Sequence, residues 1–274
     1  MILVVGDVMD DIIVQALAPL AHGTDTPSRI LRRGGGSGAN IACWLGALGR
    51  APRFAGRVGA ADLPRHQGEF ARHGVTALLQ ADPARQTGMV VATIAPDGER
   101  SFHTDRGAND AIELPPALLD GVRHLHLSGH TLLAAPSRPA ARLLLQEAAA
   151  RGLCVSVDAG SAAWLAPWAE AWWGWVAGAL CFANADEAKL LPAPPPGQTL
   201  VVTKGREGAV LHRDGTAWEV AAVAAACQDT TGAGDAFMAG YLAALRDGAP
   251  EGQCLHQAAA LAATAVAQPG GRPI

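Results

Sequence analysis

The residues best suited to chemistry lie in a glycine-rich segment that runs directly into a helical pattern. The segment reads Asp229-Thr230-Thr231-Gly232-Ala233-Gly234-Asp235-Ala236-Phe237, and the helical pattern covers 236–246. Backbone N–H groups at a helix start are unpaired and the helix dipole adds positive potential, so the glycines predict a cradle for an anion. Asp235 ends the cradle, where its carboxylate could take a proton from a hydroxyl that becomes a nucleophile. The pattern therefore indicates phosphoryl transfer.

The same segment also allows an interpretation without catalysis. Gly232 and Gly234 could form no more than a turn, and Asp235 could cap the helix, because aspartate is a favoured N-cap residue. Short glycine motifs are weak signals of function on their own. Only the longer string separates the two interpretations.

The longer string, D-T-T-G-A-G-D-A-F, resembles the signature of the ribokinase-like (PfkB-type) carbohydrate kinases. The resemblance implies that Asp235 is the catalytic base and that Gly232, Ala233 and Gly234 form the anion hole for the transferring phosphate. It implies transfer of the γ-phosphate of ATP to a hydroxyl of a small sugar or sugar-like substrate, with Mg²⁺ and K⁺ as further cofactors. An adenosine-type nucleoside is the alternative substrate, because the same framework serves nucleoside kinases.

The start of the chain is similar to the substrate side of that family. Ile2-Leu3-Val4-Val5 is an apolar run closed by Gly6, which predicts a buried parallel strand that ends at a ligand-facing edge. The carboxylates that follow, at positions 7, 10 and 11, could be solvated loop residues. The resemblance singles out Asp11 as the aspartate that binds substrate hydroxyls.

The segment Gly34-Gly35-Gly36-Ser37-Gly38-Ala39-Asn40 resembles the family's G-G-x-G-A-N. The resemblance implies that backbone at Gly36 approaches the substrate, that Ser37 lies in the substrate site and that Asn40 hydrogen-bonds a hydroxyl. Many ribokinases have lysine where this chain has Ser37, so ribose itself is less supported. Many acid-sugar and fructose kinases of the family have arginine where this chain has Ala162, so a carboxylated sugar is also less supported.

A protein of another class could carry the same glycines. Gly34, Gly36 and Ala39 fit a loose G-x-G-x-x-A dinucleotide fingerprint, which makes a Rossmann oxidoreductase the rival. The preceding residues 29–33 read R-I-L-R-R, which is a poor pattern for a buried strand. The glycine motif also does not lie in a strand–helix unit that opens the chain. The kinase interpretation therefore fits better than a Rossmann oxidoreductase.

Further motifs resemble the nucleotide side of the family's site. The N-x-x-E of Asn184 and Glu187 follows a buried strand pattern, and these two residues are implied to organise Mg²⁺ and phosphate through water. The end of the next strand pattern, Thr203-Lys204-Gly205, is implied to lie beside the nucleotide phosphates. A monovalent cation is implied to be enclosed by Asp229, Thr231 and Gly270. The sequence contains no Walker A pattern.

Arg106 is a candidate substrate contact. It follows the pattern of a β-hairpin at 87–104, whose turn signal is Pro96-Asp97-Gly98, and it precedes a G-A-N that resembles the end of this hairpin in ribokinases. Together with Arg100 and His103 it could meet substrate, or all three could be solvated charges on the hairpin.

Two other patterns have structural interpretations. His124 and His126 lie on one face of a predicted strand and could bind a metal, but no third ligand is in view, so we predict paired surface histidines. Tryptophans at 164, 168, 172 and 175 recur at the spacing of one helical face, which predicts packing, with a partner surface as the alternative.

Strand and helix patterns alternate from 124 onward at intervals typical of a parallel sheet covered on both faces. Together with the resemblance, they predict an α/β fold of the ribokinase-like type, with three α/β/α layers around a mostly parallel central sheet. We expect one kinase domain over 1–274. Segments near 12–33 and 87–106 are expected to form a small β lid within it.

The composition narrows the partners and the compartment. The net charge of −4 and the pI of about 6.1 argue against nucleic acid and anionic membranes, which would require a basic stripe. Half of the residues are hydrophobic and 17% are charged, which favours a homodimer that hides apolar surface. Five scattered cysteines and an N-terminus without a secretion signal predict reduced thiols in a cytoplasmic protein.

Overall fold

The computed structural model describes residues 1–95 and 100–274. Within those residues the strands are β1 (Ile2–Val5), β2 (Met9–Ala16), β3 (Ser28–Gly35), β4 (Arg53–Gly59), β5 (Thr76–Asp82), β6 (Gly88–Ile94), β7 (Arg100–Asp105), β8 (His124–Leu127), β9 (Cys154–Asp158), β10 (Leu180–Asn184), β11 (Thr199–Thr203), β12 (Ala209–Arg213) and β13 (Thr216–Val220). The α-helices are α1 (Ser37–Ala47), α2 (Leu63–Arg72), α3 (Gly129–Leu133), α4 (Arg138–Ala150), α5 (Ala162–Leu165), α6 (Trp172–Trp175), α7 (Ala185–Ala188), α8 (Ala233–Arg246) and α9 (Glu251–Val266). None of these helices is long and apolar enough to cross a membrane.

Nine of the strands form one large sheet in the order β13-β12-β11-β10-β9-β8-β1-β4-β5. The strands from β11 to β5 in that order run parallel to one another, whereas β12 and β13 form an antiparallel hairpin at one end. The carboxyl ends of the parallel strands therefore share one edge, which is where open α/β sheets bind ligands.

The two faces of the large sheet support separate hydrophobic cores. In β1, Ile2 and Val4 belong to one core, while Leu3 and Val5 belong to the other, because successive side chains point to opposite faces. Buried residues of α1, α2, α8 and α9 complete the first core, and those of α4 and α6 complete the second. The predicted α/β fold with a mostly parallel sheet covered on both faces is confirmed.

The remaining strands form a small sheet in the order β3-β2-β6-β7. Its central pair, β2 and β6, is parallel, and its outer pairs are antiparallel. The segments expected to form a lid supply these strands, but the turn signal Pro96-Asp97-Gly98 lies outside the described residues. Asp10 and Asp11 lie within β2 and not in a loop, because this strand begins only four residues after β1.

The prediction of paired surface histidines is wrong. His124 and His126 are 1% and 0% exposed, because β8 lies between β1 and β9 inside the sheet. His124 Nε2 and His126 Nδ1 lie 2.8 and 2.9 Å from the hydroxyl of Ser156 on the neighbouring strand. Burial lowers the pKa of His124 to about 3, so this ring is neutral and belongs to the core.

The tryptophan-rich segment does not form the single helix that its spacing predicts. It divides into α5, a 3₁₀ segment at Ala166–Ala171 and α6. Trp172 is fully buried in the second core, whereas Trp164 is 39% exposed. Packing thus accounts for part of the cluster, and Trp164 needs a separate explanation.

Candidate active site

The predicted catalytic segment forms the start of α8. Gly232 is its N-cap residue and has a left-handed backbone, with φ 74°. A Cβ atom at this position would lie 2.4 Å from Gly271 Cα, so a side chain would force the backbone to move. Asp235 is the third residue of the helix, and the N-cap position is taken by Gly232, which has no side chain that could cap it. Asp235 is therefore not the cap of this helix.

Two uncharged donors from α1 hold the Asp235 carboxylate. Ser37 Oγ donates to Oδ1 at 2.7 Å, and Asn40 Nδ2 donates to Oδ2 at 2.8 Å. Ser37 and Asn40 are three positions apart and so lie on the same side of their helix. The motifs at 34–40 and 229–237, which are far apart in the sequence, therefore meet at this carboxylate.

Burial makes Asp235 a weaker acid than an exposed aspartate. Its pKa is raised to about 6, because desolvation disfavours the carboxylate more than the hydrogen bonds from Asn40 and Ser37 favour it. The negative charge of Asp158 raises this pKa further, and His130 lowers it. A carboxylate with a pKa close to neutrality is well matched to accepting a proton.

Asp11 reaches the same region from the small sheet. Its pKa is raised to about 6, mainly because burial disfavours the carboxylate. The positive charge of Arg272 opposes this rise in pKa, and the negative charge of Asp235 adds to it. A Cβ atom at Gly35 would lie 2.2 Å from Asp11 Oδ1, so the backbone of β3 packs directly against this carboxylate. The predicted substrate-binding aspartate and the predicted base therefore influence each other electrostatically.

The glycine segment at 34–40 connects the small sheet to α1. Gly36 is the N-cap of α1 with φ 92°, and a Cβ atom there would lie 2.3 Å from the Asp7 carbonyl oxygen. A dinucleotide fingerprint would instead join a strand of the large parallel sheet to its helix. The Rossmann alternative is therefore wrong.

Arg272 belongs to this site and was not predicted. It is only 7% exposed, and its Nε donates to Asn40 Oδ1 at 3.2 Å. Its Nη2 donates to the Gly35 carbonyl at 2.7 Å, and its Nη1 lies 2.8 Å from Glu69 Oε1. The one available sequence signal is its position directly after the predicted turn at Gly270.

A cavity of about 220 Å³ opens beside Asp235 at the carboxyl edge of the large sheet. Six of the predicted site residues line it: Ser37, Asn184, Glu187, Thr203, Gly234 and Asp235. Asp158, at the end of β9, also lines it, although none of the sequence motifs includes this residue. Lys204 and Gly205 are exposed and do not line this cavity.

Asn184 and Glu187 form a rigid pair at the start of α7. Asn184 Oδ1 accepts from the Glu187 N–H at 2.9 Å, and Glu187 Oε2 accepts from the Asn184 N–H at 2.8 Å, which is a capping box. Burial raises the pKa of Glu187 to about 7. In the described part of the chain, no group of three or more His, Cys, Asp or Glu side chains could hold a metal alone.

The three residues expected around a monovalent cation lie together. Asp229 Oδ1 accepts from the Thr231 hydroxyl at 2.7 Å and from the Thr231 N–H at 3.0 Å. Asp229 Oδ2 accepts from the Gly270 N–H at 3.0 Å. This carboxylate thus ties the anion loop to the 269–271 turn, while the cation itself stays a prediction.

Arg106 is buried and is not a solvated charge. It donates to both carboxylate oxygens of Asp7, at 2.6 and 3.0 Å, and to Asp110 at 2.7 Å. Its guanidinium carbon lies 5.2 Å from the ring centre of Trp164, which in turn lies 6.3 Å from the His130 ring. The structure thus commits Arg106 to protein partners, and its contact with substrate stays a prediction.

Comparison with known proteins gives a match over the whole chain. The family model "pfkB family carbohydrate kinase" matches residues 1–274. A fructokinase of Escherichia coli is 30% identical over 248 residues, which cover 81% of this chain and 80% of that enzyme. An ATP-dependent ribose-1-phosphate kinase of Halopiger xanaduensis is 28% identical over 269 residues, which cover 93% of this chain and 87% of that enzyme.

Solved structures share the fold at lower identity. The adenosine kinase of Sinorhizobium meliloti superposes with a TM-score of 0.85 at 20% identity, over 100% of this chain and 95% of that one. At an identity this low, the similarity shows a shared fold and nothing about the substrate. The same architecture therefore occurs in a kinase named for a nucleoside.

Proposed function

Because this chain belongs to the pfkB family of carbohydrate kinases, we propose that Asp235 is the base that activates the substrate hydroxyl. The enzyme transfers the γ-phosphate of ATP to a hydroxyl of a small sugar or sugar-like molecule. The observation that supports the assignment is the position of the Asp235 carboxylate in the first turn of α8. A proton acceptor and a helix end that attracts phosphate are thereby combined in one place.

The proposed reaction assigns one task to each part of the site. Asp11 binds substrate hydroxyls and presents one of them to Asp235. Asp235 takes the proton of that hydroxyl, whose oxygen forms a bond to the γ-phosphorus while the bond between this phosphorus and ADP breaks. Backbone N–H groups at 232–234 donate to the oxygens of the transferring phosphoryl group, and that of Ala233 would have to leave the Thr230 carbonyl, to which it donates at 3.3 Å. Ser37 and Asn40 orient the carboxylate through their hydrogen bonds. Each carboxylate oxygen still has a lone pair that can accept from the substrate hydroxyl.

Magnesium fits the polar side of the cavity. Mg²⁺ prefers oxygen ligands and is bound through one or two carboxylates, water and substrate phosphates. Asn184 and Glu187 would hold it through water, and the raised pKa of Glu187 marks a carboxylate that a nearby cation would keep ionised. When bound, the ion neutralises charge that develops on the phosphates.

A monovalent cation, K⁺ in this proposal, fits beside Asp229. The Asp229 carboxylate and the Thr231 hydroxyl are oxygen ligands, and they lie at the loop that leads into α8. The cation would stabilise the shape of this loop without contacting substrate.

The substrate has two candidate classes, a sugar and a nucleoside. Fructose is suggested by the 30% identical fructokinase, although Ala162 stands where many fructose kinases of the family carry arginine. A nucleoside is the second candidate. Trp164 lies outside the lining of the cavity beside Asp235, but it is 39% exposed next to the Arg106 guanidinium, and the proposal is that a base stacks on it there.

A screen of ADP release tests these candidates directly. Wild-type enzyme with ATP and Mg²⁺ is assayed against sugars, sugar phosphates, sugar acids and nucleosides, with the variants Asp235→Asn and Trp164→Ala in parallel. A sugar kinase should release ADP with a sugar and keep its KM in Trp164→Ala, whereas a nucleoside kinase should lose affinity for its substrate in that variant. ADP release by Asp235→Asn at the wild-type rate would contradict the proposed base.

Three broader proposals complete the assignment. The small sheet acts as a lid that closes over bound substrate, since its strands include Asp11. Two copies pair through one face of the small sheet, where Leu31 and Phe102 lie in register across β2 and β6 and are 51% and 63% exposed. The enzyme works in the cytoplasm, as its five free thiols favour. Light scattering of the wild type and of Phe102→Ser tests the pairing, which should weaken in the variant.

A further inference from the structure

Arg272 connects the base to the 269–271 turn through Asn40. A guanidinium has only donors, so the atom of the Asn40 amide that faces it at 3.2 Å must be the oxygen. The amide nitrogen is then directed to Asp235 Oδ2, 2.8 Å away. Arg272, which only donates, and the Asp235 carboxylate, which only accepts, therefore hold the Asn40 amide from its two ends in one orientation.

The guanidinium lies in a slot that the surrounding residues keep open. A Cβ atom at Gly34 would lie 2.2 Å from Arg272 Nη1 and 2.3 Å from Glu69 Oε1, so only the absence of a side chain leaves room. The guanidinium carbon lies 5.4 Å from the ring centre of Phe70. Nη2 donates to the Gly35 carbonyl, and Nη1 forms an ion pair with Glu69 that lacks the geometry of a hydrogen bond. These contacts hold the guanidinium in the slot with its Nε directed at Asn40.

We propose that Arg272 is a positioning residue for phosphoryl transfer, which fixes the Asn40 amide and through it the Asp235 carboxylate. The inference rests on the proposed role of Asp235 as base. Without Arg272, the carboxylate would still favour the amide nitrogen, but the contact that holds the other end of the Asn40 side chain would be gone. Asn40 could then rotate away from Asp235 Oδ2, and the carboxylate would lose the fixed donor that aims it at the substrate hydroxyl.

The first test is Arg272→Lys. Lysine keeps the positive charge beside Glu69 and Asp11, but an ammonium on a flexible stem cannot reproduce the planar fork that reaches Asn40, Gly35 and Glu69 together. We expect kcat to fall between about 10-fold and 100-fold, the loss that a small misplacement of a catalytic group produces. The KM for ATP should stay unchanged, because Arg272 does not line the cavity beside Asp235.

Arg72→Lys is the matched control. Arg72 lines the same surface opening as Arg272, is exposed, and makes no contact with Asn40. Its kcat should equal that of the wild type. A kcat for Arg272→Lys within about twofold of the wild type would overturn the proposal, since misplacing a catalytic group costs far more.

A double-mutant cycle with Asn40→Ala separates positioning from a general structural role. If Arg272 acts through Asn40, Arg272→Lys should change kcat by less than about twofold when Asn40 is already alanine. Multiplicative losses in the double variant would overturn the proposal. Thermal melting of each variant shows whether it is folded, and rates are compared only between folded variants.

The pH profile gives a second readout. The hydrogen bond from Asn40 lowers the pKa of Asp235, so its loss in Arg272→Lys should raise the midpoint at which turnover falls on acidification. An unchanged midpoint would count against the proposal. Asp235→Asn is measured in the same assay. If this variant retains turnover, the assignment of Asp235 as base fails. If it is inactive but the losses in kcat for Arg272→Lys and Asn40→Ala multiply, only the positioning role of Arg272 is overturned.

Discussion

At the scale of single residues, Asp235→Asn separates catalysis from structure. The new side-chain oxygen can accept from Asn40 Nδ2, and the new amide can donate to Ser37, because a serine hydroxyl both donates and accepts. The variant should fold and bind ATP but cannot take the substrate proton. We expect turnover to fall by at least about a hundredfold in the ADP-release assay. Near-normal turnover on the best substrate would contradict the mechanism.

The same variant tests the raised pKa of Asp235 through stability. The folded-state pKa of about 6 lies above the ordinary value of 3.8, so the folded protein holds the proton more tightly than the unfolded chain. The free energy of unfolding contributed by this group therefore falls as pH rises from about 4 to about 6. The asparagine cannot ionise, so the melting temperature of Asp235→Asn relative to wild type should increase over this interval. A difference that does not vary with pH would show that the pKa is ordinary.

At the scale of elements, the start of α8 depends on Gly232. Alanine there must adopt φ 74° and place Cβ 2.4 Å from Gly271 Cα, so we expect lower stability and lost turnover. Gly248→Ala is the matched control, because Gly248 has φ 77° but, among the described residues, no atom lies within 4 Å of an added Cβ. Gly248→Ala should lower the free energy of unfolding by about 1–2 kcal/mol, because alanine disfavours the left-handed backbone, and it should keep full activity. Denaturant unfolding and ADP release measure both effects, and equal results for the two variants would contradict the steric argument.

The sequence predicts those elements whose pattern reflects a local cause. The apolar run of β1 and the glycine-rich segments before α1 and α8 are local signals, and all of them lie where we expected. The burial of His124 and His126 depends instead on Ser156, a partner on a neighbouring strand that no local pattern identifies. The helix expected from tryptophan spacing is interrupted by the 3₁₀ segment at Ala166–Ala171, which contains a proline in its first turn.

The sequence points to individual residues of the candidate site but not to the hydrogen bonds between them. The family resemblance names Ser37, Asn40 and Asp235, and their substrate and catalytic roles stay predictions. The structure adds hydrogen bonds from Ser37 and Asn40 to the Asp235 carboxylate, which the resemblance did not include. Arg272 could not be predicted, because its importance comes from partners more than 200 positions away, at Gly35 and Asn40. Such pairings follow from the topology of the whole chain.

At the scale of the whole molecule, the two sheets should move relative to each other when substrate binds. Asp11 lies on the small sheet and Asp235 on α8, so a substrate held by both would draw the lid closed and exclude water from the transferring phosphate. Hydrogen exchange in β2, β3, β6 and β7 should slow with a true substrate. The β12–β13 hairpin, at one end of the large sheet, is the internal control and should not change. Unchanged exchange in the small sheet would contradict closure.

Potassium should act on the molecule through the link between the anion loop and the 269–271 turn. If K⁺ binds beside Asp229, it stabilises the loop that leads into α8, and turnover should be higher in K⁺ than in a bulky organic cation at matched ionic strength. Asp229→Asn should reduce this difference, since it weakens the negative charge that attracts the ion. Equal rates in the two salts would remove the cation from the mechanism.

The hydrogen bonds around Asp235 have a consequence for how the protein becomes active. They join residues 195 and 198 positions apart, and the bond from Arg272 to Asn40 spans 232 positions. Contacts between distant residues form slowly, because a long loop must close before they stabilise anything, whereas neighbouring helices such as α8 and α9 can associate early. A refolding chain should therefore recover its helical circular dichroism before it recovers turnover, and enzymatic activity reports the completion of folding.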